Sequence, residues 1–164
     1  MKALQTDKKV LVAYFSAMGT TRTVAQEIAI ADGGKLYEIV PAQRYTSADL
    51  NWHNQQSRSS LEMNASDSRP AIAGETVNLD DYDVVFIGYP IWWNLAPRVV
   101  NTFIESHTLN GKRVIPFATS RGSTIKNSVS SLKKTYPQVN WTESKLLNGV
   151  STQDIYSWVE KVLL

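Results

Sequence analysis

Three short apolar runs, at residues 10–15 (VLVAYF), 84–87 (VVFI) and 114–118 (VIPFA), do most to limit what this chain can fold into. Each is bounded by turn formers and is apolar at consecutive rather than alternate positions. A strand that is apolar on both faces must be covered on both, as in a parallel sheet sandwiched between helices. A weaker run at 35–40 alternates, as an edge strand would, and a fifth strand is expected at 145–147. Helical patterns lie between and after the runs: 20–30, with Val24 and Ile28 on one face; 96–106, with Pro97 near its first turn; 124–136; and 152–164, preceded by Ser151 as a capping hydroxyl. Strands alternating with helices imply right-handed crossovers and an open, doubly wound α/β sheet.

The segment 44–73 is polar and longer than a usual connection, with a helical portion expected between 47 and 64. Connections of this length are more often functional or lid-like than simple tethers. No repeat or interdomain linker breaks the pattern, so 1–164 reads as one domain. A chain of that length buries roughly two-thirds of its unfolded surface.

Several classes of chemistry are closed by composition. Cysteine is absent, which removes disulfides, thiolate catalysis and thiolate metal sites. His53 and His107 lie far apart without metal-ligand spacing, and both read as surface or loop residues rather than proton donors. Any redox chemistry must therefore come from a bound cofactor. Lys and Arg number 17 against 15 Asp and Glu, a net charge of +2, and they are scattered, so no nucleic-acid partner is expected. No run approaches the roughly 20 apolar residues of a membrane span. The start, MKALQTDKKV, lacks the apolar core of a secretory signal, and a cytoplasmic protein with no membrane partner is expected.

In an open α/β sheet ligands bind beyond the carboxyl ends of the strands, so the residues after each apolar run carry the functional information. After the first run stand Ser16, Ala17, Met18, Gly19, Thr20 and Thr21, leading directly into a helix. Hydroxyls and backbone N–H groups at the positive end of a helix dipole suit a phosphate monoester, and Gly19 allows the backbone conformation a cradle needs. The pattern GxxxxGK[ST] lacks its lysine here and GxGxxG lacks two of its glycines. A phosphate receiver would need acidic residues where Ser16 and Ala17 stand, whereas Asp80, Asp81 and Asp83 sit at the opposite end of their strand.

After the second run come Pro90, Ile91, Trp92, Trp93 and Asn94. Two adjacent tryptophans cannot both enter one core from a loop, so at least one is available to cover a flat ligand or a partner. After the third run come Thr119, Ser120, Arg121, Gly122 and Ser123, again polar and again before a helix. Phosphate cradle, aromatic wall and polar third loop together describe a site for flavin mononucleotide (FMN).

With these loops in place the sequence resembles the flavodoxin-like family, in particular a small bacterial branch with a Y-P-I-W-W second loop and a T-S-x-G-S third loop. The resemblance runs from Val10 to Lys161. It implies a three-layer fold with five parallel strands in the order 2-1-3-4-5. It also implies one FMN, its phosphate on Ser16–Thr21, its ring against Trp92 and neighbours, and its pyrimidine side on Ser120–Ser123. The family more often has threonine at Met18, asparagine at Thr20 and glycine at Arg121.

Two departures bear on electron transfer. Electron carriers of the family usually place a small residue beside flavin N5, whose peptide flips during one-electron reduction; Trp93 stands there, and a bulky residue resists positive φ. The third loop also lacks an aromatic to close the outer ring face, leaving it open or covered by Tyr45, Trp52 and His53. Carriers are generally acidic, whereas the nearby charges here are Arg98 and Arg121. These points favour an FMN-dependent oxidoreductase reducing a small quinone-type acceptor. The alternatives are a one-electron carrier for a protein partner and a flavin-binding module without turnover. No catalytic side chain and no metal ligand is expected. The electron donor and acceptor stay open, as does the choice between monomer and homodimer.

Overall fold

The computed structural model describes residues 3, 4 and 6–164. Its elements are β1 (Val10–Tyr14), α1 (Thr20–Asp32), β2 (Lys35–Glu38), α2 (Arg58–Asn64), β3 (Val84–Pro90), α3 (Arg98–Ser106), β4 (Arg113–Thr119), α4 (Lys126–Thr135), β5 (Asn140–Trp141), β6 (Lys145–Leu146) and α5 (Thr152–Leu163). The strands pair in parallel in the order β2-β1-β3-β4-β5, with β6 also on β4. This is the α/β architecture and the 2-1-3-4-5 order implied by the sequence.

The consecutive apolar runs divide between the two faces of the sheet, as the pleat requires. Val10, Val12 and Tyr14 join Val84, Phe86, Ile115 and Phe117 against α1 and α5. Leu11, Ala13 and Phe15 join Val85, Ile87, Tyr89 and Ala118 against α3 and α4. At Gly88 the packing leaves no space for a side chain: a Cβ there would lie 2.1 Å from Phe117 Cζ. The aromatic ring of β4 therefore occupies the room that a residue of β3 would otherwise fill.

The fifth strand differs from expectation. Instead of one run at 145–147 there are two short strands, making six, with β5 paired to Arg113 and Val114 and β6 to Phe117 and Ala118. The break has a chemical cause. Val114 O and Ala118 O accept from Thr142 N–H and Leu147 N–H, so even-numbered residues of β4 face this edge. Pro116 is the even residue between them and has no N–H to offer. The edge strand bulges around it at 142–144, with Glu143 at a φ of 30°.

Helix ends follow local chemistry. Ser151 Oγ accepts from Asp154 N–H and caps α5, as expected, and α1 ends at Gly33 with a φ of 67°. Pro97 is the N-cap of α3 rather than a residue of its first turn, which shortens the helix to 98–106. In the long segment, 47–57 is a series of turns, and the helix is confined to α2, capped by Ser57. The chain just beyond that segment is pinned at Val77 by His107. Its Nδ1 lies 2.8 Å from Phe103 O and its Nε2 accepts from Val77 N–H at 3.1 Å. Burial lowers its pKa, consistent with a neutral ring that accepts on Nε2.

Asp32 lies at the end of the sheet opposite the three loops. It is 5% exposed. Oδ1 accepts from Gly34 N–H, whereas Oδ2 has no partner among the described residues. Burial raises its pKa to about 7, against the opposing effect of the Gly34 hydrogen bond.

Gly88→Ala drives a methyl into the Phe117 ring and is expected to cost about 1–3 kcal/mol, read as a lower urea midpoint; an unchanged midpoint contradicts it. For Asp32, an acid whose folded pKa is raised binds its proton more tightly when folded. Its contribution is therefore most favourable below its ordinary pKa of 3.8 and is lost as pH rises towards 7. Asp32→Asn should gain stability relative to the parent between about pH 4 and pH 7, at up to about 1.4 kcal/mol per pH unit, and then level off. Parallel urea titrations that show the same pH slope for both proteins count against this account.

Candidate functional site

The three loops emerge from the carboxyl ends of three adjacent strands. In the first, Gly19 precedes α1 with φ 94° and ψ −16°, and no side chain caps the helix. Ser16 Oγ accepts from Gly19 N–H at 3.0 Å, which tightens the turn and leaves the Ser16 hydroxyl proton free to donate. A Cβ at Gly19 would meet nothing within 4 Å, so open space lies in front of the uncapped helix start. Met18 and Thr20 are exposed and Ala17 is half-buried. The hydroxyl of Thr21 lies elsewhere than expected: it is buried and sits 2.8 Å from Thr119 Oγ1, joining the first loop to the third beneath the rim.

In the second loop Pro90 is the last residue of β3, and Ile91 N–H donates to Thr119 O at 2.9 Å. Trp92 and Leu95 exchange two hydrogen bonds of 2.9 Å, closing a tight turn. Its central residues, Trp93 and Asn94, have φ of 48° and 64°. This corrects the sequence argument about Trp93: the bulky residue already occupies positive φ, held there by the turn. The tryptophans divide as anticipated. Trp92 is half-buried and meets Phe15 and Tyr45 edge-on at 5.6 and 5.3 Å, whereas Trp93 is 41% exposed.

The third loop is a hydroxyl turn: Ser120 Oγ accepts from Gly122 N–H and Ser123 N–H. Arg121 and Gly122 are exposed. Asn148 anchors the loop, its side-chain amide bonding both the N–H and the C=O of Ser120. Asn127 of α4 donates to Asn94 O at 2.9 Å and fixes the second loop to the same side. Neither asparagine has a local sequence pattern that marks it, because each acts across the rim on a residue distant in the chain.

The long segment supplies a further wall. Tyr45 donates to Glu62, Arg58 lies 3.9 Å from the Tyr45 ring centroid, and Arg58 Nε pairs with Glu62 at 2.8 Å. Burial and the Glu62 bond raise the Tyr45 pKa, keeping the phenol protonated. Tyr45 thus buttresses Trp92. Trp52 and His53 stack on each other at 3.8 Å, and both are exposed. Arg98, grouped by the sequence with the rim charges, is instead 9% exposed and donates to the carbonyls of Glu62 and Met63 at the end of α2.

Among the described residues no cluster of His, Asp and Glu could hold a metal ion, and no helix is long and apolar enough to cross a membrane. The arrangement is a polar, donor-rich rim with an aromatic flank.

Comparison with known proteins gives the same architecture. Two crystal structures described as candidate flavoproteins are similar to this chain. One, from Bacteroides eggerthii, is 57% identical with a TM-score of 0.92, covering 96% of this chain and 99% of that one. The other, from Bacteroides uniformis, is 53% identical with a TM-score of 0.91, covering 93% and 98%. A Lactobacillus acidophilus flavoprotein, solved in complex with FMN, shares the fold at 23% identity and a TM-score of 0.72, covering 92% and 99%. No curated protein sequence matches the chain. The Flavodoxin family matches residues 9–162, nearly the whole length of the sheet and its helices, and the chain belongs to that family.

Proposed function

We propose that the chain acts as one domain holding a single FMN on the three-loop rim, and that it uses the flavin to reduce a small quinone-type acceptor. The observation that carries this reading is the cross-tied rim. Thr21 bonds Thr119, Ile91 bonds Thr119, and the start of α1 is left uncapped behind a glycine with open space before it. The FMN complex of the Lactobacillus flavoprotein, on the same fold, supports the choice of ligand.

The residues fit the group. Backbone N–H groups at the start of α1, with the hydroxyls of Ser16 and Thr20, would hold the phosphate, and charge-assisted bonds of about 1.5–3 kcal/mol each make a lysine unnecessary. Thr21 contributes through its backbone, since its hydroxyl is engaged with Thr119. Pro90 to Asn94 would flank the ring and Thr119 to Ser123 its polar edge. Bound FMN supplies electron transfer. The protein's part is binding, orientation and exclusion of water: Trp92, braced by Tyr45 and Phe15, makes one side apolar, while the third loop carries no aromatic over the other. That open side and the slightly basic net charge of +2 support a small acceptor.

A second reading, one-electron transfer to a protein partner, gains support from Trp93 and Asn94. Their positive φ means the second loop already has a backbone geometry that a bulky residue ordinarily resists.

Titration of the purified protein with FMN should quench flavin fluorescence at a one-to-one ratio, and a protein that takes up no FMN defeats both readings. Gly19→Val, which places a β-branched residue at a φ of 94°, should distort the turn before α1 and weaken FMN binding by about tenfold or more, with the urea midpoint lowered by the same backbone strain. With FMN bound, oxidation of NADH or NADPH should be driven by quinones added alone. Turnover that appears only with a protein acceptor selects the carrier reading.

A further inference from the structure

A cavity of about 180 Å³ lies outside the three-loop rim, between the start of α3, one side of α4 and the segment that follows α2. Two guanidinium groups, Arg69 and Arg98, line it together with Asn101, Ser131 and Thr135. Arg69 is balanced: its Nε pairs with Glu105 at 2.9 Å, and its Nη1 bonds the carbonyls of Ser66 and Ser68. Arg98 is not. It is 9% exposed, its Nε and Nη2 donate to the carbonyls of Glu62 and Met63 at 3.3 and 2.8 Å, and among the described residues its Nη1 has no partner and no carboxylate pairs with it.

Arg98 is thus held by two backbone carbonyls without a counter-charge, and its Nη1, which is not among the buried unpartnered polar atoms, is a donor left open to a ligand. Burial and the neighbouring charge of Arg69 both depress the Arg98 pKa, as an excess of positive charge in this cavity requires. The remaining ionisable neighbours do not correct the balance. Glu105 is shared between Arg69 and the Tyr136 hydroxyl, at 2.9 and 2.5 Å, and Asn101 is turned towards Tyr136 at 3.1 Å. Two cations against one anion leave room for a single negative charge, and Ser131 and Thr135 add hydroxyls at the wall.

We infer that this cavity is a second binding site, for the phosphate or carboxylate group of a small molecule, with Arg98 as its principal anchor. The fork of a guanidinium matches the paired oxygens of either group. The cavity is large enough for a compact oxyanion and is bounded by Leu95, the last residue of the Trp92–Leu95 turn, and Ala96 after it. An occupant would therefore press on the far side of the second loop. The inference does not rest on FMN binding.

The test is an amide NMR titration with sodium phosphate and, separately, sodium acetate, each against sodium chloride at matched ionic strength. FMN is added first, so that phosphate sites on the rim are filled if the protein takes up flavin. Saturable shifts at Arg98, Asn101 and Ser131 are expected with at least one anion. A response to phosphate alone assigns a phosphoryl ligand, and a response to acetate assigns a carboxylate. Ser131→Glu places a carboxylate at the cavity wall and should weaken binding by about tenfold or more, with FMN affinity unchanged. Thr135→Glu serves the same purpose should that variant fail to fold. Absence of saturable shifts with both anions, or binding by a folded glutamate variant equal to that of the parent, overturns the inference. A protein that fails to bind FMN but shows these anion shifts refutes the flavin reading and leaves this one standing.

Discussion

The hydrogen-bond ladder of the sheet continues past the ends of its strands, and the rim depends on that continuation. Phe15 N–H reaches Gly88 O, Ile91 N–H reaches Thr119 O, and Leu147 N–H reaches Ala118 O. Each loop leaves the sheet while still bonded to its neighbour, so the relative heights of the loops are set by sheet register rather than by loop sequence. Because these strands are apolar on both faces, hydrophobicity alone would tolerate a one-residue slip, and the register rests on specific packing between neighbouring strands. Gly88 and Phe117 supply such packing, because β3 and β4 fit together with a ring in the place of a side chain. Thr21 and Thr119 then fasten the first loop to the third at one buried point.

Most of this was legible in the chain because parallel strands declare themselves twice, by consecutive apolar residues and by the turn formers at their ends. At the fifth position the strand expected at 145–147 is present as β6, whereas the separate β5 ahead of the bulge is not apparent from the sequence, although a signal for the break is there. A proline inside an apolar run implies an edge or a bulge, and Pro116 imposes both on β5 and β6. The long polar segment was legible as an unusual connection. Its helix was shorter than expected because the turns at 47–57 satisfy their backbone locally, through Asn and Asp side chains such as Asp49, Asn51 and Asn54.

At the site, the loops and their order could be read, whereas the roles within them could not. Thr21 looked like a ligand hydroxyl, and its actual partner lies 98 positions away. Arg98 looked like a surface charge because arginine usually is one; only the folded chain brings the end of α2 over it. Intrinsic preference disfavours positive φ in a residue as bulky as Trp93, and the Trp92–Leu95 turn overrides that preference. Asn148 and Asn127 were invisible for a related reason: a single amide in a polar stretch becomes informative only when its target is known.

The divided strand at the margin of the sheet has a consequence for how copies of this protein behave in a crowded solution. An open parallel sheet ends in a row of unpaired peptide groups, which invites a strand from another molecule. Here that margin is two strands of two residues each, separated by the bulge at 142–144. Neither offers enough consecutive donors and acceptors to template a partner, and the kink between them breaks the straight line that stacking needs. By withholding one N–H, Pro116 does more than interrupt a strand: it gives the sheet an edge at which lateral growth stops.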